Sequence, residues 1–167
     1  SLTTDAGGTL SPGAVTTRGA QTYNDATVTL NGTLTVNTTG SGVSIPNNVV
    51  LNAGSGTITL AGSDVNNDIT LGAVSGARAL NLTAGGGDIT FTSTNGTPTG
   101  LTSTSATFTT TGSVMVAAGA AVSITTDQIS VGNNLGNAGA GAITLQPMGD
   151  GVTIGLNDPS GTFNLTA

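Results

Sequence analysis

Short apolar pairs with one residue between their members recur along this chain, in units that repeat about every 20 residues. Among them are Val28/Leu30, Leu34/Val36, Val43/Ile45, Val49/Leu51, Ile58/Leu60, Ile69/Leu71, Leu80/Leu82 and Ile89/Phe91. The series continues with Ala106/Phe108, Val114/Val116, Val122/Ile124, Ile129/Val131, Ile143/Leu145, Val152/Ile154 and Phe163/Leu165. A period of two puts both members of a pair on one side of a strand. Gly, Asn, Asp or Ser clusters fill nearly every gap, as turns require. Helix formers are scarce and β-branched Thr, Val and Ile abound, so no helix is expected.

The spacing decides between hairpins and a coil. Val28, Val49, Ile69 and Ile89 form one series, and Val122, Ile143 and Phe163 another. Leu34, Ile58 and Leu80, and then Ile129 and Val152, follow at slightly longer steps. Ile-Thr-Leu itself begins at Ile58, Ile69 and Ile143. A strand offering two apolar side chains has no core of its own. Coils stacked about 4.8 Å apart would pair every backbone with its neighbours and gather those side chains into inward columns. The expected fold is all-β: a right-handed parallel β-helix, or solenoid, with coils of about 20 residues. About eight coils would give a rod about 40 Å long.

The expected core comprises Val28, Leu30, Val49, Leu51, Ile58, Leu60, Ile69, Leu71, Leu80, Leu82, Ile89, Phe91, Val122, Ile124, Ile143, Leu145, Val152, Ile154, Phe163 and Leu165. The pattern lapses between Thr92 and Ala106, which predicts a loop near residues 93–105, and Gly132 to Gly141 reads as a second corner. Strand pairs of the same character resume afterwards, so residues 1–167 read as one β-helical segment. Neither end carries an evident cap, which predicts continuation into further covalent repeats or onto another copy of the chain.

Composition narrows the functions. The ionisable side chains are eight Asp with Arg18 and Arg78, without Glu, Lys or His, and the net charge is −6. Nucleic acid needs clustered cations, so it is not an expected partner. No apolar run is long enough for a membrane-spanning helix. Cysteine is absent, which removes disulfides and thiol chemistry. General acid–base catalysis would have little besides Asp, in the pairs Asp64/Asp68 and Asp150/Asp158, so an enzyme is not expected.

Candidate sites follow from the repeat. Asn48, Asp68 and Asp88 each precede an inward Val or Ile at 20-residue intervals, so stacking would place them in a ladder. Such a ladder is a candidate Ca²⁺ site, the one cofactor the sequence suggests; the plainer reading is that these residues cap turns and face water. Acceptor motifs for N-glycosylation lie at Asn31, Asn37, Asn81, Asn95 and Asn164, as many as this Asn-, Ser- and Thr-rich composition yields by chance. Thr-x-Thr pairs at Thr27/Thr29, Thr33/Thr35, Thr57/Thr59, Thr90/Thr92 and Thr107/Thr109 are candidates for ordering water as in ice binding, although their spacing does not put them in one column. Tyr23, the only tyrosine, is expected at a turn or covering a coil end, with packing as its role.

Three stretches carry a family resemblance: "QTYNDATVTLNGTLTVNTTGSGVSI" from Gln21 to Ile45, "LNAGSGTITLAG" from Leu51 to Gly62, and "ALNLTAGGGDITF" from Ala79 to Phe91. They resemble filamentous-haemagglutinin-like exoproteins. The ending "AITLQPMGDGVTIGLNDPSGTFNLTA" is similar to units of giant bacterial surface adhesins. The resemblance lies in repeat style and contains no catalytic signature. It implies a right-handed β-helix, exported to the bacterial cell surface or secreted, serving as a structural fibre or adhesin. Its partners would be copies of itself or neighbouring repeats, with a host or cell-surface glycan or receptor as a further possibility. A ligand-binding module for glycan, receptor or ice is the alternative.

Overall fold

The computed structural model describes residues 1–38, 40–52, 57–62, 67–137, 139 and 141–150, and the strands Ile154–Leu156 and Phe163–Leu165. The chain winds as a parallel β-solenoid of about six turns, with no helix among the described residues. Each coil visits three faces in the same order. The first coil contributes Leu2–Thr3, Thr9–Leu10 and Val15–Thr17. The second contributes Gln21–Thr22, Thr27–Leu30 and Leu34–Val36, and the third Val43–Ile45, Asn48–Leu51 and Thr57–Gly62. From the fourth coil, strands run through corners. Ile69–Ser75 and Asp88–Asn95 each serve the first and second faces, with Ala79–Thr83 on the third between them. Gly100–Thr110 and Val122–Val131 serve the third face and then the first face of the coil above. Val114–Val116 and Leu135–Asn137 continue the second face, and Ile143–Gln146 the third. Strands that turn corners join the three faces into one hydrogen-bonded sheet of 17 strands. Ile154–Leu156 and Phe163–Leu165 form a separate parallel pair.

Every pairing is parallel and in register, so each inward position meets its counterpart one coil away. On the first face Leu2, Gln21, Val43, Ile69, Ile89, Phe108 and Ile129 stand in one column. The second face stacks Leu10, Val28, Val49, Val74, Thr94, Val114 and Leu135. The third stacks Val15, Leu34, Leu60, Leu82, Ser103, Ile124 and Leu145. Most of these side chains are fully buried, and Phe91 meets Phe108 edge to face at 5.4 Å. Each buried Val, Leu, Ile or Phe contributes about 1.5–3 kcal/mol relative to exposure.

The fold class expected from the pattern stands, with corrections in detail. Among the described residues there are about six turns rather than eight, and the steps from Val43 to Ile69 and from Leu34 to Leu60 are equally the longest. At about 4.8 Å per turn, the described stack is about 29 Å long. The series Val28, Val49, Ile69, Ile89 is not one column: Val49 stacks on Val74, and Ile69 on Val43. Leu34 likewise stacks on Leu60, while Ile58 stacks on Leu80. Of the expected core, Val28, Leu30, Val49, Leu51, Leu60, Ile69, Leu71, Leu80, Leu82, Ile89, Phe91, Val122 and Ile124 are buried. Ile143 stacks on Val122 but is 45% exposed, and Leu145 is half-buried, because they stand in the last strand of the described stack. The side chains of Ile58, Val152, Ile154, Phe163 and Leu165 lie outside the described residues.

The loop expected near 93–105 is strand except at residues 96–99. Its inward positions hold hydroxyls except at Leu101. Thr94, Ser103 and Ser105 are buried, as is Thr126 one coil above Ser105. The Gly132 to Gly141 corner likewise contains the strand Leu135–Asn137. Thr126 Oγ1 has the carbonyls of Ala106 and Gln128 each at 2.9 Å, whereas the Ser103 and Ser105 hydroxyls have no partner. An unpartnered buried hydroxyl costs about 1–3 kcal/mol, and its removal relieves that cost. Ser103→Ala is therefore expected to raise stability by about 1 kcal/mol, and Thr126→Ala to lower it by a similar amount. Thermal or urea unfolding of the two variants against the parent protein checks the opposite signs.

Candidate functional site

Register governs the outside as it does the core. On the first face the outward neighbours of the core column are Thr3, Thr22, Ser44, Thr70, Thr90, Thr109 and Ser130, an unbroken rank of hydroxyls. The third face carries two ranks side by side. One holds Thr16, Thr35, Ala61, Thr83, Thr104, Thr125 and Gln146. The other holds Thr59, Asn81, Thr102, Ser123 and Thr144. No charged residue interrupts any of the three. The expected Thr-x-Thr pairs themselves scatter: Thr27/Thr29 lies on the second face, Thr33/Thr35 and Thr57/Thr59 on or beside the third, and Thr90/Thr92 and Thr107/Thr109 on or beside the first. Ser and single Thr residues outside that motif complete the ranks, so a search for Thr-x-Thr alone misses them.

The proposed calcium ladder is divided by the fold. Asp68 and Asp88 do stack on consecutive coils, both exposed. Asp68 Oδ1 accepts a hydrogen bond from the Asp88 backbone N–H at 2.9 Å. Asn48 stands on another face, opposite Thr27. Among the described residues no group of three or more Asp, Glu, His or Cys side chains is placed to hold a metal ion. Asp127 acts as Asp68 does, its Oδ1 accepting from the backbone N–H groups of Met148 and Gly149 at 2.9 and 3.1 Å. These carboxylates tie one coil to the next. Asp150 lies in a turn, whereas Asp64 and Asp158 lie outside the described residues.

The glycosylation candidates divide in the same way. Asn31, Asn37 and Asn95 are exposed, and Asn81 is half-buried within a third-face rank. Asn31 Oδ1 accepts a hydrogen bond from the Asn52 amide one coil above, and Asn95 Oδ1 accepts from Thr97 Oγ1 at 2.7 Å. The Asn164 side chain lies outside the described residues.

Tyr23 is inside the solenoid, not at a coil end. It is 1% exposed, and its backbone N–H donates to Ser44 O in the next coil. Its hydroxyl donates to Gln21 Oε1 at 2.8 Å. Gln21 is itself fully buried and directs its amide nitrogen at Thr35 O (2.8 Å) and Thr17 Oγ1 (3.2 Å). This small polar network occupies positions that hydrocarbon fills in the next coil, with Val43 above Gln21. Desolvation raises the phenol to about 12. The unfolded value is about 10, so burial of the neutral phenol leaves stability intact below about pH 10 and stability falls as pH rises towards 12. With one Tyr and no Trp, the ultraviolet phenolate signal reports this group alone. Alkaline titration is expected to show almost no phenolate at pH 10 in the native protein and about half ionisation in urea.

A concave feature among the described residues is a corner trough between the first and second faces. It is a hollow of about 480 Å³ lined by Asn24, Ala26, Pro46, Asn47, Asn48, Gly72, Ala73 and Thr92, with Ala6 and Gly7 at one end. The Asn47 amide nitrogen donates to the carbonyls of Asn24 and Asp25, each at 3.0 Å, and holds the corner in place. Gly72 is required there: a Cβ at that position would come within 1.9 Å of the Asn47 carbonyl oxygen. A second hollow of about 320 Å³ adjoins it on the second face and shares Asn48 and Ala73. The sequence offers no signal for this trough, which arises from short side chains brought together by five different coils.

The fold and these surfaces define a parallel β-solenoid of the β-helical repeat class. Compared with family models, curated proteins and solved structures, the chain matches none. The class therefore rests on strand order and register, and no family match supports the filamentous-haemagglutinin likeness. No helix among the described residues is long and apolar enough to cross a membrane.

Proposed function

We propose that the chain is a structural, non-catalytic module of an extracellular bacterial fibre or adhesin, in which rigid stacked coils carry an interaction surface away from the cell. The supporting observation is the stacking itself: each face repeats coil after coil in parallel register, and the first carries an uncharged rank of hydroxyls on its outside. A repeat held together by nearest-neighbour pairing is a rigid scaffold that copies in the same register can extend along one axis. The likeness to secreted exoproteins supports the same reading, and with it a cell-surface or secreted location. The chain is expected to associate end to end as concentration rises, and electron microscopy should show rods lengthened along one axis. Leu10→Asp with Val15→Asp should abolish that growth. A parent protein that stays a single short rod at every concentration overturns self-association.

A second reading, binding of ordered water or ice, draws support from the hydroxyl ranks. On the third face the hydroxyls are about 4.8 Å apart between coils and about 6.6 Å apart within a strand. Such an uncharged two-dimensional net is on the scale of the oxygen spacing in ice. This reading predicts thermal hysteresis just below the melting point, lost in Thr104→Lys. Growth of unfaceted ice with no freezing-point gap eliminates it.

A further inference from the structure

We propose that the corner trough between the first and second faces is a binding site for a neutral polysaccharide chain. The two adjoining hollows extend from Gly7 in the first coil to Asn95 in the fifth. At about 4.8 Å per coil this is about 19 Å along the axis, the reach of several linked sugar units rather than of one ring. An open, elongated shape of this kind suits a linear polymer.

The chemistry selects the class of polymer. No charged residue lines either hollow, so neither a polyanion nor a polycation gains by entering. The backbone offers nothing to a peptide strand, because Asn48–Leu51 is already paired with Thr27–Leu30 on one side and with Ile69–Ser75 on the other. Recognition falls to neutral side chains. Asn48, exposed where the two hollows meet, and Thr27 and Thr92 each present a donor and an acceptor, the combination a sugar hydroxyl needs. Ala73 and Pro46 supply short apolar surface for the C–H edges of a sugar ring. No aromatic platform lines the trough, so one site binds weakly, and repeated sites along a fibre would supply avidity. The inference goes beyond the scaffold reading and stands independently of it, since the trough is complete within one chain.

The test uses the whole ¹⁵N-labelled chain in solution. It is titrated with neutral hexasaccharides of glucose, mannose, galactose and N-acetylglucosamine, and with a uronic acid hexasaccharide. The expected result is that one neutral series shifts the backbone amides of Asn24, Asn48, Ala73 and Thr92, while the uronate leaves them in place. Ala73→Lys, at an exposed position shared by both hollows, should weaken binding about tenfold or more by burying a charge against the sugar. Thr102→Lys, on the third face, should leave binding unchanged. Unperturbed resonances elsewhere establish that both variants are folded. The absence of shifts with every neutral hexasaccharide, shifts centred on another face, tighter binding of the uronate, or equal loss in both variants overturns the proposal. Light scattering on the same samples reads end-to-end association separately, so failure of the scaffold reading leaves this result interpretable.

Discussion

The parallel, in-register hydrogen-bond ladder between coils is the interaction on which everything else in this molecule depends. A single coil here has no interior: its strands offer two or three apolar side chains each, facing a space only one residue layer deep. The next coil supplies the missing contacts, and in-register pairing sets inward position on inward position. Side chains reinforce the ladder at its corners. Asn47, Asp68 and Asp127 each bond to backbone groups one coil away, so the polar corners hold the repeat together as the apolar columns do.

The same rule explains the tolerance of the interior. Because the columns are one residue wide, a polar side chain at one level leaves the levels above and below intact. Gln21 and Tyr23 close a network with the carbonyl of Thr35 and the hydroxyl of Thr17, so their burial carries little penalty. The level holding Thr94, Ser103 and Ser105 is different. Thr94 is satisfied at Met115, where its hydroxyl engages both the backbone N–H and carbonyl, but the two serines are not. On the third face Ser103 therefore interrupts the column between the hydrocarbon of Leu82 and of Ile124.

This interior variation also marks the limit of what the sequence makes legible. Alternating Val, Ile and Leu between Gly and Asn corners reveals strands, and their recurrence reveals a solenoid. Both readings hold because period-2 burial and stacking leave a direct imprint on residue order. Two features leave none. Ile69–Ser75 bends at Gly72 and carries inward residues for two faces, so counting 20 residues from Val49 to Ile69 moves from the second face to the first. Inward Thr94, Ser103 and Ser105 have the chemistry of surface residues, and a strand lined with them reads as a loop. The Asp68/Asp88 contact was legible for the same reason that the core was, since both precede aligned isoleucines; Asn48 failed because its valine belongs to another column.

Stacking therefore produces two kinds of surface, with different consequences for function. A rank such as Thr3 to Ser130 arises wherever one residue type recurs at the coil period, and threonine recurs because strands favour it. Such ranks are the default exterior of a solenoid of this composition. A trough requires the repeat to depart from itself. The corner at Asn24 and Asp25 is a turn, that at Pro46 and Asn47 is shorter, and by Gly72 the strand passes through without interruption. These differences hollow the surface at one place and present Asn48 there without a neighbour of its own kind. In a molecule whose architecture comes from sameness, the positions that break the repeat are those where a specific ligand gains a shape to recognise.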